Sequence, residues 1–118
     1  MDAQDLAIEA RSAAADKKAE HVVVLDLSRL TVMTDYFVIC SGQNNVQVKA
    51  IADGVVDRLR KAGRKPRGME GYQAGRWVLI DYGDVMVHVM TAQERDYYAL
   101  DRLWGDARTL EPVPAPAR

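Results

Sequence analysis

The sequence predicts an α/β (α+β) domain in which a mixed β-sheet carries flanking helices, and three observations predict it. Strong β-branched or aromatic runs recur at His21–Leu27, Tyr36–Cys40, Trp77–Tyr82 and Val85–Met90. One segment between them repeats its apolar residues at helical spacing, and the elements follow one another as α-β-β-α-β-β-β-α. The chain has 118 residues, which is the size of one domain.

Taken in order, Asp2–Lys18 is alanine-rich and reads as a helix, with Leu6, Ala10 and Ala13 or Ala14 on one face and Asp2 placed to cap it. That face is narrow, so the helix must lie on a larger element. HVVVLDL at 21–27 is too short for a helix and too apolar for an edge wet on both sides. After a polar break at Ser28–Asp35, YFVIC at 36–40 is a second buried strand. Ser41-Gly42 is expected to make a tight turn and start the next helix. That helix carries Val48, Ile51, Ala52, Val55, Val56 and Leu59 at i, i+3, i+4, i+7, i+8, i+11 and ends at Gly63.

Lys65–Glu70 is at best an edge strand, because Pro66 and Gly68 interrupt it. WVLIDY and VMVHVM, joined at Gly83-Asp84, form a hairpin. Thr91 with Glu94 three residues later is a capping-box signature, and the helix is expected to run on through Arg95–Trp104 with Leu100, Leu103 and Trp104 inward. The folded domain is expected over 1–108. The remainder, 109–118, reads as a disordered tail with three prolines.

Composition narrows the function classes. Apolar residues make up 48% and charged residues 28%, which suits a soluble globular protein with a core. No apolar run is long enough to span a membrane, and the first residues lack a signal-peptide pattern. The one cysteine, Cys40, rules out an internal disulfide framework. These features favour a cytoplasmic location. The net charge of −1 hides an uneven distribution. Arg58, Arg60, Lys61, Arg64, Lys65 and Arg67 form a basic run with no acid between 58 and 67, whereas residues 81–111 hold seven acids against three arginines. The basic run is a candidate secondary contact to RNA, or else a solvated helix end.

Three blocks carry a family likeness. The first is Asp35-Tyr36-Phe37-Val38-Ile39, Ser41-Gly42, Gln47-Val48 and Ala50-Ile51-Ala52-Asp53. The second is Glu70-Gly71, Trp77 through Val85 and Val87-His88-Val89; the third is Arg95, Tyr98, Leu100, Leu103 and Trp104. In order and spacing they resemble the Iojap or ribosomal silencing factor family over roughly residues 3–107. The resemblance implies a nucleotidyltransferase-like fold and a function without catalysis or cofactor. It implies a translation repressor that binds the large ribosomal subunit at the ribosomal protein numbered fourteen (uL14 type). Binding there blocks joining to the small subunit and lowers translation when nutrients are scarce. The family also contains a large-subunit assembly branch, and homodimers are often seen in it.

Catalysis has its own signature to meet. A metal-dependent nucleotidyltransferase needs paired carboxylates on neighbouring strands, and Lys65–Glu70 offers no Asp-x-Asp. Asp81 and Asp84 flank a turn, where aspartate usually accepts from local backbone donors. His88 and His21 are the only histidines, so His88 is expected to be packed or partner-facing, not a metal ligand. Trp77 and Tyr98, with Asp81, Asp84 and Arg95 around them, are the candidate docking residues. Large aromatics with a polar handle dominate interface energetics.

Overall fold

The computed structural model describes residues 1–110. Its elements are α1 (Ala3–Asp16), β1 (Glu20–Asp26), β2 (Tyr36–Gly42), α2 (Asn45–Lys61), β3 (Gly68–Glu70), β4 (Trp77–Asp81), β5 (Val85–Thr91), α3 (Ala92–Tyr98), α4 (Leu100–Leu103) and β6 (Arg108–Thr109). The strands make one six-stranded mixed sheet in the order β3-β4-β5-β2-β1-β6. Only β2 and β5 run parallel; the other four pairings are antiparallel. The α/β reading and the Trp77–Val85 hairpin are thus both realised.

Period-two alternation divides the side chains between the sheet's two faces. Val24, Val38, Cys40, Val78, Ile80, Val85, Val87 and Val89 point to one face and are buried beneath Leu6, Ala10, Ala14, Val48, Ile51, Val55 and Leu59 of α1 and α2. Asp2 caps α1 by accepting from the Asp5 N–H at 2.8 Å, and Gly63 follows α2 with a φ of +90°. The alanines of α1 let it lie close against α2 and the sheet.

The opposite face is covered only in part. Leu25, Leu27, Ile39, Met90 and Leu100 form a small second core, with Val23, Phe37, Trp77, Trp104 and Ala107 packed at its margin. The elements above it, α3 and α4, are seven and four residues long.

Several expectations need correcting. The helix expected through Arg95–Trp104 is broken at Ala99, which adopts the left-handed conformation (φ 51°, ψ 46°). The break turns Leu103 outward, 71% exposed, where an inward position was expected. Thr91 does cap α3, accepting from the Glu94 N–H at 3.3 Å. Ser41-Gly42 does not begin α2. Both residues complete β2, and Asn44 is the cap, accepting from the Gln47 N–H at 2.9 Å. Gly42 is needed for a different reason: a Cβ there would meet the Val48 backbone nitrogen and side chain at 3.0 Å. At the C-terminal side, Thr109 pairs with Leu25 and the Leu110 N–H donates to the Val24 carbonyl. Residues 111–118 of the proline-rich tail lie outside the described residues.

Candidate functional site

The open half of the second face is built by β4, β5 and β2. Trp77 and Leu79 from β4, Met86 and His88 from β5 and Phe37 from β2 share it, with Leu79 directly opposite His88 and Phe37 opposite Met86. Tyr98, at the end of α3, lies over Trp77 with ring centroids 4.7 Å apart, and Tyr97 packs edge-on against Tyr98 at 4.9 Å. Tyr97 and Tyr98 are 80% and 47% exposed, so the aromatic cluster ends in solvent. Exposed aromatic area next to an incompletely covered sheet face is what a partner site presents.

Beneath the cluster lies His88. It is packed, as expected, and only 5% exposed. Its Nδ1 accepts from the Trp77 indole Nε1–H at 3.1 Å, and the Phe37 ring meets it edge-on with centroids 4.4 Å apart. Burial pushes its pKa down from 6.5 to about 4. Cys40 is buried on the other face, and its thiol is pushed up to about 12 by desolvation, which leaves it inert.

The five residues singled out from the sequence do not all converge. Trp77 and Tyr98 are in contact. Asp81 shares their face but lies four residues along β4, roughly 13 Å away at strand rise. Its Oδ1 accepts from the Gly83 N–H at 2.7 Å and its Oδ2 faces Arg67 at 3.4 Å. Asp84 is in the turn and accepts from Arg64 at 3.0 Å. Arg95 is a strut, its side chain only 12% exposed. It donates to Asp101 at 2.9 Å, to the Ser41 hydroxyl at 3.1 Å and to the His21 carbonyl. Burial of Asp101 would raise its pKa, but the Arg95 hydrogen bond and charge hold it below the usual value. Arg95 therefore fastens α3 and α4 to the strand ends and has little left for a partner.

Two further acids lie on the same helix as Tyr98. Glu94 and Asp96 flank Arg95 on α3, and neither has an ion pair among the described residues. For Glu94, Asp96, Phe37 and Leu79 the sequence offers no separate pointer to a site, whereas His88 is expected from it to be packed or partner-facing. The only signal was the alternation that puts all three strand residues on the face opposite the buried valines.

The basic run is largely answered locally. Arg58 pairs with Glu9 and Asp16, Lys61 with Asp57, Arg64 with Asp84 and Arg67 with Asp81. Among the described residues, Arg60 and Lys65 are left without an ion pair. Of the two turn carboxylates, Asp81 accepts through both oxygens, from Gly83 and Arg67, and Asp84 accepts through Oδ1 from Arg64.

A family model described as "Ribosomal silencing factor during starvation" matches residues 1–118. The chain belongs to that family. Relatives named ribosomal silencing factor include one from Bacillus subtilis, 46% identical over 83% of each chain, and one from Chromobacterium violaceum, 42% identical over 98% of this chain and 94% of the relative. The chloroplastic Iojap protein of Zea mays is 32% identical over 89% of this chain and 46% of its own length. A crystal structure of a Chromobacterium violaceum protein superposes with a TM-score of 0.87 at 40% identity, covering 98% of this chain and 97% of that one. A Bacillus halodurans structure gives 0.81 at 44% identity, covering 92% and 98%. Family membership assigns the chain a ribosome-associated role in silencing translation. Among the described residues no helix is long and apolar enough to cross a membrane.

Proposed function

We propose that the chain silences translation as a steric plug: it docks on the large ribosomal subunit, on the protein of the uL14 type, and covers a surface that subunit joining requires. The observation that carries this reading is the half-open second face of the sheet, where Trp77 and Tyr98 pack with tilted rings 4.7 Å apart and the cluster runs out into solvent. Such a plug needs affinity and position only, and a standard interface of about 800 Å² per partner suffices. Glu94 and Asp96, on the same helix as Tyr98 and without an ion pair among the described residues, suit a basic ribosomal protein. They would speed encounter more than they add affinity. Asp81 lies on the far margin of the same face, and Asp84 and Arg95 contribute by holding the hairpin turn and α3 in place.

The test is binding of purified protein to isolated bacterial large subunits, followed by a subunit-joining assay. Trp77→Ala and Tyr98→Ala are each expected to weaken binding about thirtyfold, the effect of losing ~2 kcal/mol at a central aromatic. Both should keep the far-ultraviolet circular dichroism of the wild type. Folded variants that bind as tightly as wild type would move the docking surface elsewhere. Tight binding that leaves joining intact would favour the assembly role over silencing.

A further inference from the structure

The aromatic face contains a buried group whose chemistry is not accounted for by packing. His88 sits in the middle of β5, nine-tenths buried among Phe37, Leu79 and Trp77, in a position where a leucine or phenylalanine would fill the space. A histidine there carries a cost. Its Nε2 is buried and has no hydrogen-bond partner. What the imidazole supplies in return is one acceptor, Nδ1, which takes the indole Nε1–H of Trp77 at 3.1 Å. We infer that His88 is a positioning residue for docking: through this hydrogen bond it fixes the Trp77 indole in the orientation against which Tyr98 packs, tilted by 52°, and which the ribosomal partner meets.

The geometry ties the parts together. A tryptophan at the margin of a half-covered sheet has two side-chain torsions, and above it Trp77 has only Tyr98, itself half exposed, to restrain them. The hydrogen bond from its far edge removes that freedom before a partner arrives, and a surface ordered in advance loses less entropy on binding. Phe37 braces the imidazole edge-on at 4.4 Å, so the acceptor is itself held in place. Because Nδ1 accepts, the proton resides on Nε2, and the tautomer is set by Trp77. Burial keeps the ring neutral at physiological pH, with its pKa down at about 4; a protonated imidazole would turn Nδ1 into a donor and oppose the indole N–H. It follows that the Trp77 N–H is already engaged, so a partner meets Trp77 by its ring and not by hydrogen bonding to its nitrogen.

This inference rests on the docking reading above, and its test separates the two. The direct readout is the Trp77 indole proton in nitrogen-edited NMR spectra, distinguished from Trp104, the only other tryptophan, with Trp104→Phe. In the wild type the proton should be shifted downfield and slow to exchange with solvent. His88→Leu keeps the apolar volume and removes the acceptor: the proton should move upfield and exchange at least tenfold faster, and large-subunit binding should weaken about tenfold. His88→Asn restores an oxygen near the position of Nδ1 and should recover protection and most of the binding. In a Trp77→Phe background, His88→Leu should cause no additional loss, because the histidine acts through the indole. A protected indole proton in His88→Leu, or His88→Asn binding as poorly as His88→Leu, overturns the positioning role. An indole released in His88→Leu with subunit binding unchanged likewise overturns the positioning role, whereas only folded Trp77→Ala that binds as tightly as wild type overturns Trp77 as a docking residue. Should His88→Leu fail to fold, His88→Asn and the Trp77→Phe cycle with it still decide the question.

Discussion

At the scale of single residues, His88 shows how one side chain couples the core to the surface. The unfolded chain takes up its proton near pH 6.5, whereas the folded chain does so only near pH 4, because burial disfavours the imidazolium. Between those values the unfolded state binds more protons, so stability falls as pH drops. The contribution is fully present above about pH 6.5 and gone below about pH 4, with an upper bound of ~3 kcal/mol. Chemical denaturation at pH 7 and pH 4.5 should therefore show a marked acid loss in wild type that is flattened in His88→Leu. Equal losses in the two proteins would exclude His88 as the source. Asp26 and Asp101, both held below the ordinary carboxylate value of 3.8, stabilise above that value and lose their contribution only as pH falls further, which keeps the two windows apart. The histidine was visible in the sequence as a polar residue opposite two valines. Its partner was not, because Trp77 and His88 are eleven residues apart and meet only through the hairpin register.

Among the elements, two backbone positions on either side of the aromatic cluster carry opposite predictions. Gly71 has a φ of +80°, and a Cβ there would lie 2.0 Å from the carbonyl oxygen of Trp77. Gly71→Ala must therefore displace the start of β4, costing ~2 kcal/mol or more and lowering the melting temperature. Ala99 has the reverse fault: it is a left-handed alanine at the break between α3 and α4. Ala99→Gly relieves that strain and should stabilise the protein by about 0.5–1 kcal/mol, provided that the break is kept. A thermal melt of each variant checks the pair, and a stabilising Gly71→Ala would contradict the close approach. The break itself explains why Leu103 points out while Leu100 is buried. The helical pattern from Arg95 to Trp104 is continuous in sequence, and no glycine or proline announces the turn. Arg95 ties the two sides of the break together, donating to Asp101 beyond it and to Ser41 and the His21 carbonyl on strands from far earlier in the sequence.

For the whole molecule, the placement of charge limits how the ribosome can be held. Six cations between residues 58 and 67 read as a patch for RNA, but four of them are paired with acids brought in by α1, α2 and the hairpin turn. Each phosphate contact contributes about −0.9 to the slope of log affinity against log salt. Arg60 and Lys65 alone would give a slope near −2, whereas an unpaired run of six would give roughly −5. Large-subunit binding measured between low and moderate salt should thus have the shallow slope; a steep one would return the basic run to the primary interface. The residue pattern by itself determined the α/β class, the hairpin, the burial of α2 and the division of valines from aromatics across the sheet. These follow from local periodicity, because a strand must alternate and a helix must present one apolar stripe. The family likeness was equally legible, since its blocks are contiguous. Which face stayed open, which carboxylates were already occupied and where Trp77 finds its acceptor were decided only by the tertiary structure. Each depends on pairs far apart in the chain, Arg64 with Asp84, Arg95 with His21 and Trp77 with His88, and local patterning carries no information about what a distant segment will bring alongside.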